Sequence, residues 1–205
     1  MSKALTILGS TGTIGDSTLR VLSLHPDKFS LFALTAYSNC EKMFRQCVVW
    51  EPEYAVMVEE KAADALERKV KKAGLKVQVI WGLAGLEYVA SHPNTDYVMA
   101  GIVGAAGLLP NLAAAQAGKR VMLANKESLV MSGQLFMNAV EENGAQLLPI
   151  DSEHNAIFQC LPGIFDRHLA RFYLTEQTHY GVVLHSWSPL LLCLILSFSR
   201  LLLPL

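Results

Sequence analysis

Short apolar runs alternate along the chain with longer amphipathic stretches, the pattern of βαβ units wound onto a parallel sheet. Residues 5–8 (Leu5-Thr6-Ile7-Leu8) predict a first strand that runs into a glycine-rich turn, and residues 14–23 the helix behind it. A second strand at 31–36 precedes a helix through Met43 and Val48. Residues 54–58 predict a third strand, and 62–73 a helix whose lysines and acids form a solvated face. Strands at 77–80 and 97–99 are each followed by a turn signal containing glycine. A helix of small residues at 108–117 stops at Gly118, since glycine takes the left-handed terminal position without a Cβ penalty. A strand at 121–124, a helix at 126–140 and a strand at 146–150 complete the series, which opens into Asp151-Ser152-Glu153-His154.

The pattern also places three polar segments. In an open α/β sheet, ligands sit beyond the carboxyl ends of the strands. Gly9-Ser10-Thr11-Gly12-Thr13-Ile14-Gly15, Asn125-Lys126-Glu127 and Asp151-Ser152-Glu153 each follow a predicted strand. One crevice is expected to gather all three.

The glycine turn carries the clearest chemistry. Gly9, Gly12 and Gly15 stand three apart, between a strand and a helix, so backbone N–H groups can approach a pyrophosphate with the helix dipole assisting. A bare triplet is equally the mark of a sharp turn; the strand–triplet–helix–strand context favours a dinucleotide. NAD binders usually end the second strand with an acid for the ribose 2′-hydroxyl. Here that end is Ala36-Tyr37-Ser38-Asn39, with no acid before Glu41, which favours NADP although no Lys or Arg stands among those residues. Tyr37 is either part of an adenine pocket or a loop aromatic. A second triplet, Gly101, Gly104 and Gly107, serves close approach to the cofactor's other half or tight helix–strand packing.

Asp151 and Glu153, at i and i+2 past a strand, can converge on one hard cation. Asp151 is equally a helix N-cap, which the local sequence favours. Lys126 follows a buried strand, where it would polarise a substrate oxygen or simply begin a surface helix. His154 is a proton shuttle or a structural histidine.

Composition narrows the class. At 205 residues, 52% hydrophobic and net charge −1, the chain has enough apolar sequence for one α/β domain and no basic excess for a nucleic-acid partner. Cys40, Cys47, Cys160 and Cys193 show no CxxC spacing and suggest ordinary thiols of a reducing compartment. A strand starting at residue 4 leaves no room for a signal peptide, so a cytoplasmic enzyme is expected.

Taken together, residues 8–15, 101–110, 124–130 and the string Leu148-Pro149-Ile150-Asp151-Ser152-Glu153-His154-Asn155-Ala156-Ile157-Phe158-Gln159 closely resemble the 1-deoxy-D-xylulose 5-phosphate reductoisomerase family, in order and at family spacing over residues 3–183. The resemblance implies a Rossmann-like, doubly wound parallel sheet binding NADP over residues 1–150 and the start of a catalytic, metal-binding domain at 151–183. It implies NADPH-dependent rearrangement and reduction of 1-deoxy-D-xylulose 5-phosphate to 2-C-methyl-D-erythritol 4-phosphate, in non-mevalonate isoprenoid biosynthesis. Mg²⁺, Mn²⁺ or Co²⁺ would chelate the phosphosugar, and the full-length family would be a homodimer. By matching position, Thr11, Gly12, Thr13, Ile14, Asn39, Asn125 and Glu127 would contact NADPH. Lys126, Ser152 and Glu153 would contact substrate, and Asp151 and Glu153 the metal, reversing the local preference for capping. Lys126, Glu153 and His154 would be catalytic.

Two departures qualify this. The family commonly shows Gly-Lys-Asn after the second strand, where this chain has Tyr37-Ser38-Asn39, so an expected 2′-phosphate partner is missing. From Leu184 the family pattern gives way to an apolar tail, residues 184–205. A membrane anchor needs about 20 apolar residues, whereas this stretch carries His185, Pro189, serines and Arg200. An altered reading frame or truncated gene accounts for it better, and no membrane partner is expected. The expected product is an inactive fragment; the rivals are another NADP-dependent oxidoreductase, a nucleotide-binding module, or a membrane-associated remnant.

Overall fold

The structure, a computed structural model, describes residues 2–124, 127–151 and 155. The chain divides into two compact units, residues 1–148 and 149–205. Strand β1 (Lys3–Leu8) leads to α1 (Thr13–Leu24), β2 (Phe29–Ala36), α2 (Cys40–Trp50), β3 (Tyr54–Met57), α3 (Glu60–Lys72) and β4 (Gln78–Trp81). Then come α4 (Gly82–Ser91), β5 (Tyr97–Ala100), a 3₁₀ turn (Ala105–Gly107), α5 (Leu108–Gln116), β6 (Arg120–Leu123), α6 (Glu127–Glu142) and β7 (Gln146–Pro149).

The strands form one seven-stranded sheet in the order β4-β3-β2-β1-β5-β6-β7. The β1–β2, β2–β3, β3–β4, β1–β5 and β5–β6 pairings are all parallel. The fold is therefore the Rossmann-like α/β class expected from the sequence, and its strand order reverses at β1. From β1 the chain first winds outward through β2 to β4, then returns to β5 on the other side. This topological switch point is where such sheets open a crevice.

Burial on both faces explains why the inner strands are nearly all apolar. Leu5, Ile7 and Leu8 of β1, Ala33 and Leu34 of β2, Val98 of β5 and Val121 of β6 are all buried. The buried polar residues of β1 and β2 are satisfied: Thr6 shares its hydroxyl with Thr95 (2.9 Å) and bonds the Val89 carbonyl (3.2 Å), and the Thr35 hydroxyl accepts the Gly9 N–H (2.9 Å). Helix α3 buries Ala62, Ala63, Leu66 and Val70 and turns its charges outward, as predicted. Gly118 ends α5 with φ +69°, its N–H bonding Ala115 O at 3.0 Å.

Two elements differ from the sequence reading. Residues 82–91 form α4, where only a glycine turn is predicted after the 77–80 strand. Gly85 looks like turn punctuation, but a Cβ there would stand 2.9 Å from Val56 Cγ1, so its glycine lets the helix lie close on β3. Leu86 and Val89 of this helix join Phe32, Ala33, Tyr54 and Val56 in a buried cluster. The second is α6, predicted as one continuous helix. It is interrupted at Ser132 (φ −143°, ψ 27°), beside Gly133, the kind of Ser/Gly step at which helices kink.

Candidate functional site: the glycine turn at the sheet switch point

The turn between β1 and α1 lies against the first residue after β5. Gly101 N–H donates to Leu8 O at 3.0 Å, and a Cβ on Gly9 would come within 3.1 Å of Gly101 O. Gly9 also has φ +80°, a conformation that favours glycine. A Cβ on Gly15 would run into the Ser10 backbone. Both outer glycines are therefore fixed by close backbone approach. Gly101 obeys the same rule, a Cβ there meeting Leu8 O at 2.9 Å, so tight packing accounts for this member of the second triplet.

Neighbouring elements hold the turn in shape. From β2, the Thr35 hydroxyl accepts the Gly9 N–H (2.9 Å) and the Thr35 carbonyl the Ser10 N–H (2.8 Å). From α2, Gln46 grips Ser10 at both ends: Ser10 Oγ donates to Gln46 Oε1 (2.7 Å), and Gln46 Nε2 donates to Ser10 O (2.9 Å). Lys42 Nζ donates to Thr11 O (2.9 Å) and to Asp16 Oδ2 (2.6 Å). Thr35, Gln46 and Ser10 are buried, so these bonds are shielded from water.

What the turn leaves open matters as much. Gly12 is the N-cap of α1, and no side chain caps this helix. Its first-turn N–H groups have no carbonyl one turn earlier in the helix to bond. Gly12 and Thr13 are exposed, Thr11 and Ile14 half-buried. A turn braced by these bonds, with glycine at the helix N-cap and no side chain capping the helix dipole, suits a phosphate-bearing ligand. By contrast α2 is capped, since Asn39 Oδ1 accepts the Lys42 N–H at 3.1 Å. Tyr37, just past β2, is 71% exposed beside exposed Ser38 and Asn39.

Of the residues that sequence reasoning selects, the structure places Thr11 and Gly12 in the turn, Thr13 and Ile14 at the start of α1, and Asn39 as the N-cap of α2. Glu127 is the first residue of α6. Asn125, Lys126, Ser152, Glu153 and His154 lie outside the described residues, as does the apolar tail. Within the second unit, Asp151 is half-buried and its carbonyl accepts the Asn155 N–H (3.0 Å), while Asn155 Nδ2 donates to Pro149 O (2.8 Å). Among the described residues no group of three or more His, Cys, Asp or Glu gathers to hold a metal, and no helix is long and apolar enough to cross a membrane.

The cysteines on α2 carry no activation. Burial pushes the Cys47 thiol up to about 12, with Cys40 adding to the effect. Cys40 is raised too, chiefly by burial, with Lys69 opposing. Sequence reasoning missed Thr35, Lys42 and Gln46. The one local signal is Gln46 standing between Met43 and Cys47 on the buried face of α2.

Residues 5–133 match the family model described as 1-deoxy-D-xylulose 5-phosphate reductoisomerase. The chain is 56% identical over 162 residues to the 1-deoxy-D-xylulose 5-phosphate reductoisomerase of Paraburkholderia phytofirmans, covering 79% of this chain and 40% of that protein. It is 59% identical over 182 residues to that of Methylobacillus flagellatus, covering 86% and 46%. A crystal structure of DOX-P reductoisomerase in complex with NADPH, fosmidomycin and magnesium superposes with a TM-score of 0.79 at 44% identity, covering 85% of this chain and 42% of that one. The chain spans about two fifths of the length of the curated relatives it matches.

Proposed function

The chain belongs to the 1-deoxy-D-xylulose 5-phosphate reductoisomerase family, and from that premise we propose that these 205 residues carry the NADPH-binding half of the enzyme. The observation that carries the proposal is the uncapped N-terminus of α1 behind a glycine turn pinned by Thr35, Gln46 and Lys42. Thr11, Gly12, Thr13 and Ile14 would hold the pyrophosphate, with Asn39, Asn125 and Glu127 completing the cofactor site. The nicotinamide supplies the hydride when bound. The protein's task is to hold the two phosphates still and in register with the substrate half.

The family reaction, rearrangement and NADPH reduction of 1-deoxy-D-xylulose 5-phosphate to 2-C-methyl-D-erythritol 4-phosphate, is proposed for the protein to which this half belongs. A divalent metal would supply Lewis acidity at the substrate's oxygens. Asp151 and Glu153 are its proposed ligands; Lys126, Ser152 and Glu153 the substrate contacts; and Lys126, Glu153 and His154 the catalytic groups. Assembly as a homodimer and a cytoplasmic setting belong to the same proposal. The DOX-P reductoisomerase in complex with NADPH, fosmidomycin and magnesium supports it by kinship.

Titrating the purified chain into NADPH, and then adding the phosphosugar with Mg²⁺ or Mn²⁺, tests both parts. Enhanced and saturable NADPH fluorescence without substrate-dependent oxidation supports a half-site. Absence of NADPH binding would remove the cofactor assignment, and robust turnover would overturn the inactive half. In a full-length relative, unchanged metal affinity after replacing the aspartate that matches Asp151 with Asn would sink the ligand assignment.

A further inference from the structure

We infer that the Lys42 ammonium is the cation that pairs with the 2′-phosphate of the bound dinucleotide, replacing the lysine this chain lacks between Tyr37 and Asn39. The inference rests on the proposal that the glycine turn binds NADPH.

In this fold the adenosine ribose lies just past the end of the second strand, where an acid selects NAD and a cation NADP. β2 ends at Ala36, and exposed Tyr37, Ser38 and Asn39 follow. The nearest acid in sequence, Glu41, is already paired: Lys69 of α3 holds its carboxylate at 2.7 Å while lying 5.6 Å from the Phe44 ring centroid. Lys42 turns instead to the glycine turn. It sits in the first turn of α2, its backbone capped by Asn39, and its side chain reaches back across to Thr11 O at 2.9 Å. Its ammonium therefore lies between the glycine turn and the start of α2, the two segments that flank the ribose 2′ position.

The state of that ammonium fits a waiting cation. It has three donors, and the bonds to Thr11 O and Asp16 Oδ2 use two of them. Its side chain is 29% exposed, enough for a ligand to reach it. Asp16, in the first turn of α1, holds it at 2.6 Å. That carboxylate fixes the ammonium beside the turn but also competes with an incoming phosphate for the same charge. Lys42 and Asp16 should thus act on 2′-phosphate affinity with opposite signs, which a purely structural clamp would not do.

The test uses the purified chain and two adenosine fragments, 2′,5′-ADP and 5′-AMP, with affinities measured by calorimetry. A charge-assisted phosphate contact gives wild type about a tenfold preference for 2′,5′-ADP. K42M should bring that preference close to unity, weakening 2′,5′-ADP by about tenfold more than 5′-AMP, K42R should retain it, and D16N should widen it by roughly threefold. If wild type prefers 2′,5′-ADP and K42M keeps that preference, the assignment of Lys42 is overturned while the NADPH proposal stands. Equal weakening of both ligands in K42M, with no gain in D16N, reduces Lys42 to a clamp on the turn. No preference in wild type overturns both the assignment and the choice of NADPH over NADH.

Discussion

Thr35 is polar at a position of β2 where every neighbour is apolar, and its surroundings explain why. Its side chain is buried, yet its hydroxyl receives the Gly9 N–H at 2.9 Å. Thr35→Val keeps the shape and the main-chain bond to Ser10 but strands the Gly9 N–H. A stranded, part-buried donor costs about 1–3 kcal/mol. Urea unfolding of T35V should show that loss together with weaker NADPH binding; an unchanged midpoint would mean the turn holds itself. Cys47 makes a second prediction at this scale. With its thiol pushed up to about 12, thiolate is scarce at neutral pH. Labelling of native Cys47 by iodoacetamide should stay slow to pH 9 or so and become fast only on unfolding, whereas rapid native labelling would contradict its burial. The glycine turn was legible because its glycine spacing answers a local steric demand. Its supports were not, because Thr35, Lys42 and Gln46 lie 26, 31 and 36 residues from the atoms they hold. Only the wound topology of the sheet brings them together.

Between elements, the start of β5 is tied to the start of β1 by Asp96. Its carboxylate accepts the Ala4 N–H (2.9 Å) and the Lys3 ammonium (3.2 Å), while its carbonyl accepts the Arg120 N–H (3.1 Å) that leads into β6. The Ala4 N–H bond, more than the lysine, holds the Asp96 carboxyl below the ordinary carboxylate value. A native value below the unfolded one means that the unfolded chain binds the extra proton on acidification. This contribution is complete above the ordinary carboxylate value and is lost as pH falls through the depressed native one. Asp96→Asn keeps an acceptor for Ala4 but removes the charge. The side chain is 40% exposed, so solvent limits the difference at neutral pH to about 1 kcal/mol or less. The stability curves of wild type and D96N should converge in acid; a gap that persisted there would assign the seam to packing. Strands and amphipathic helices were legible from period alone, and α3 shows this clearly. Helix α4 was not, because Gly82 and Gly85 carry the same letters as a turn while Gly85 answers a packing demand from Val56. The break in α6 at Ser132 was hidden by an unbroken helical pattern.

At the scale of the whole molecule, alternating strands and helices predicted a parallel sheet but not its strand order. That order, with β1 between β2 and β5, puts the glycine turn at the reversal of the sheet. Every support described for the turn comes from β2, α2 or the residue after β5, all within the unit of residues 1–148. Of the metal and substrate residues proposed from kinship, Asp151, Ser152, Glu153 and His154 belong to the other unit, and Lys126 alone to this one. Cofactor binding and chemistry should therefore be separable along the chain. A polypeptide of residues 1–150 retains all seven strands, since β7 ends at Pro149. It should unfold in one cooperative transition and bind NADPH within roughly threefold of the 205-residue chain, because every support described for the turn lies within residues 1–148. Its NADPH affinity should also be indifferent to Mg²⁺, the proposed ligands having been removed. Loss of cooperative folding would show that residues after 150 complete the first unit's core. Cooperative folding with NADPH affinity reduced by about a hundredfold would instead show that those residues complete the nucleotide site itself. Either result would move the division between cofactor and substrate halves away from the end of β7.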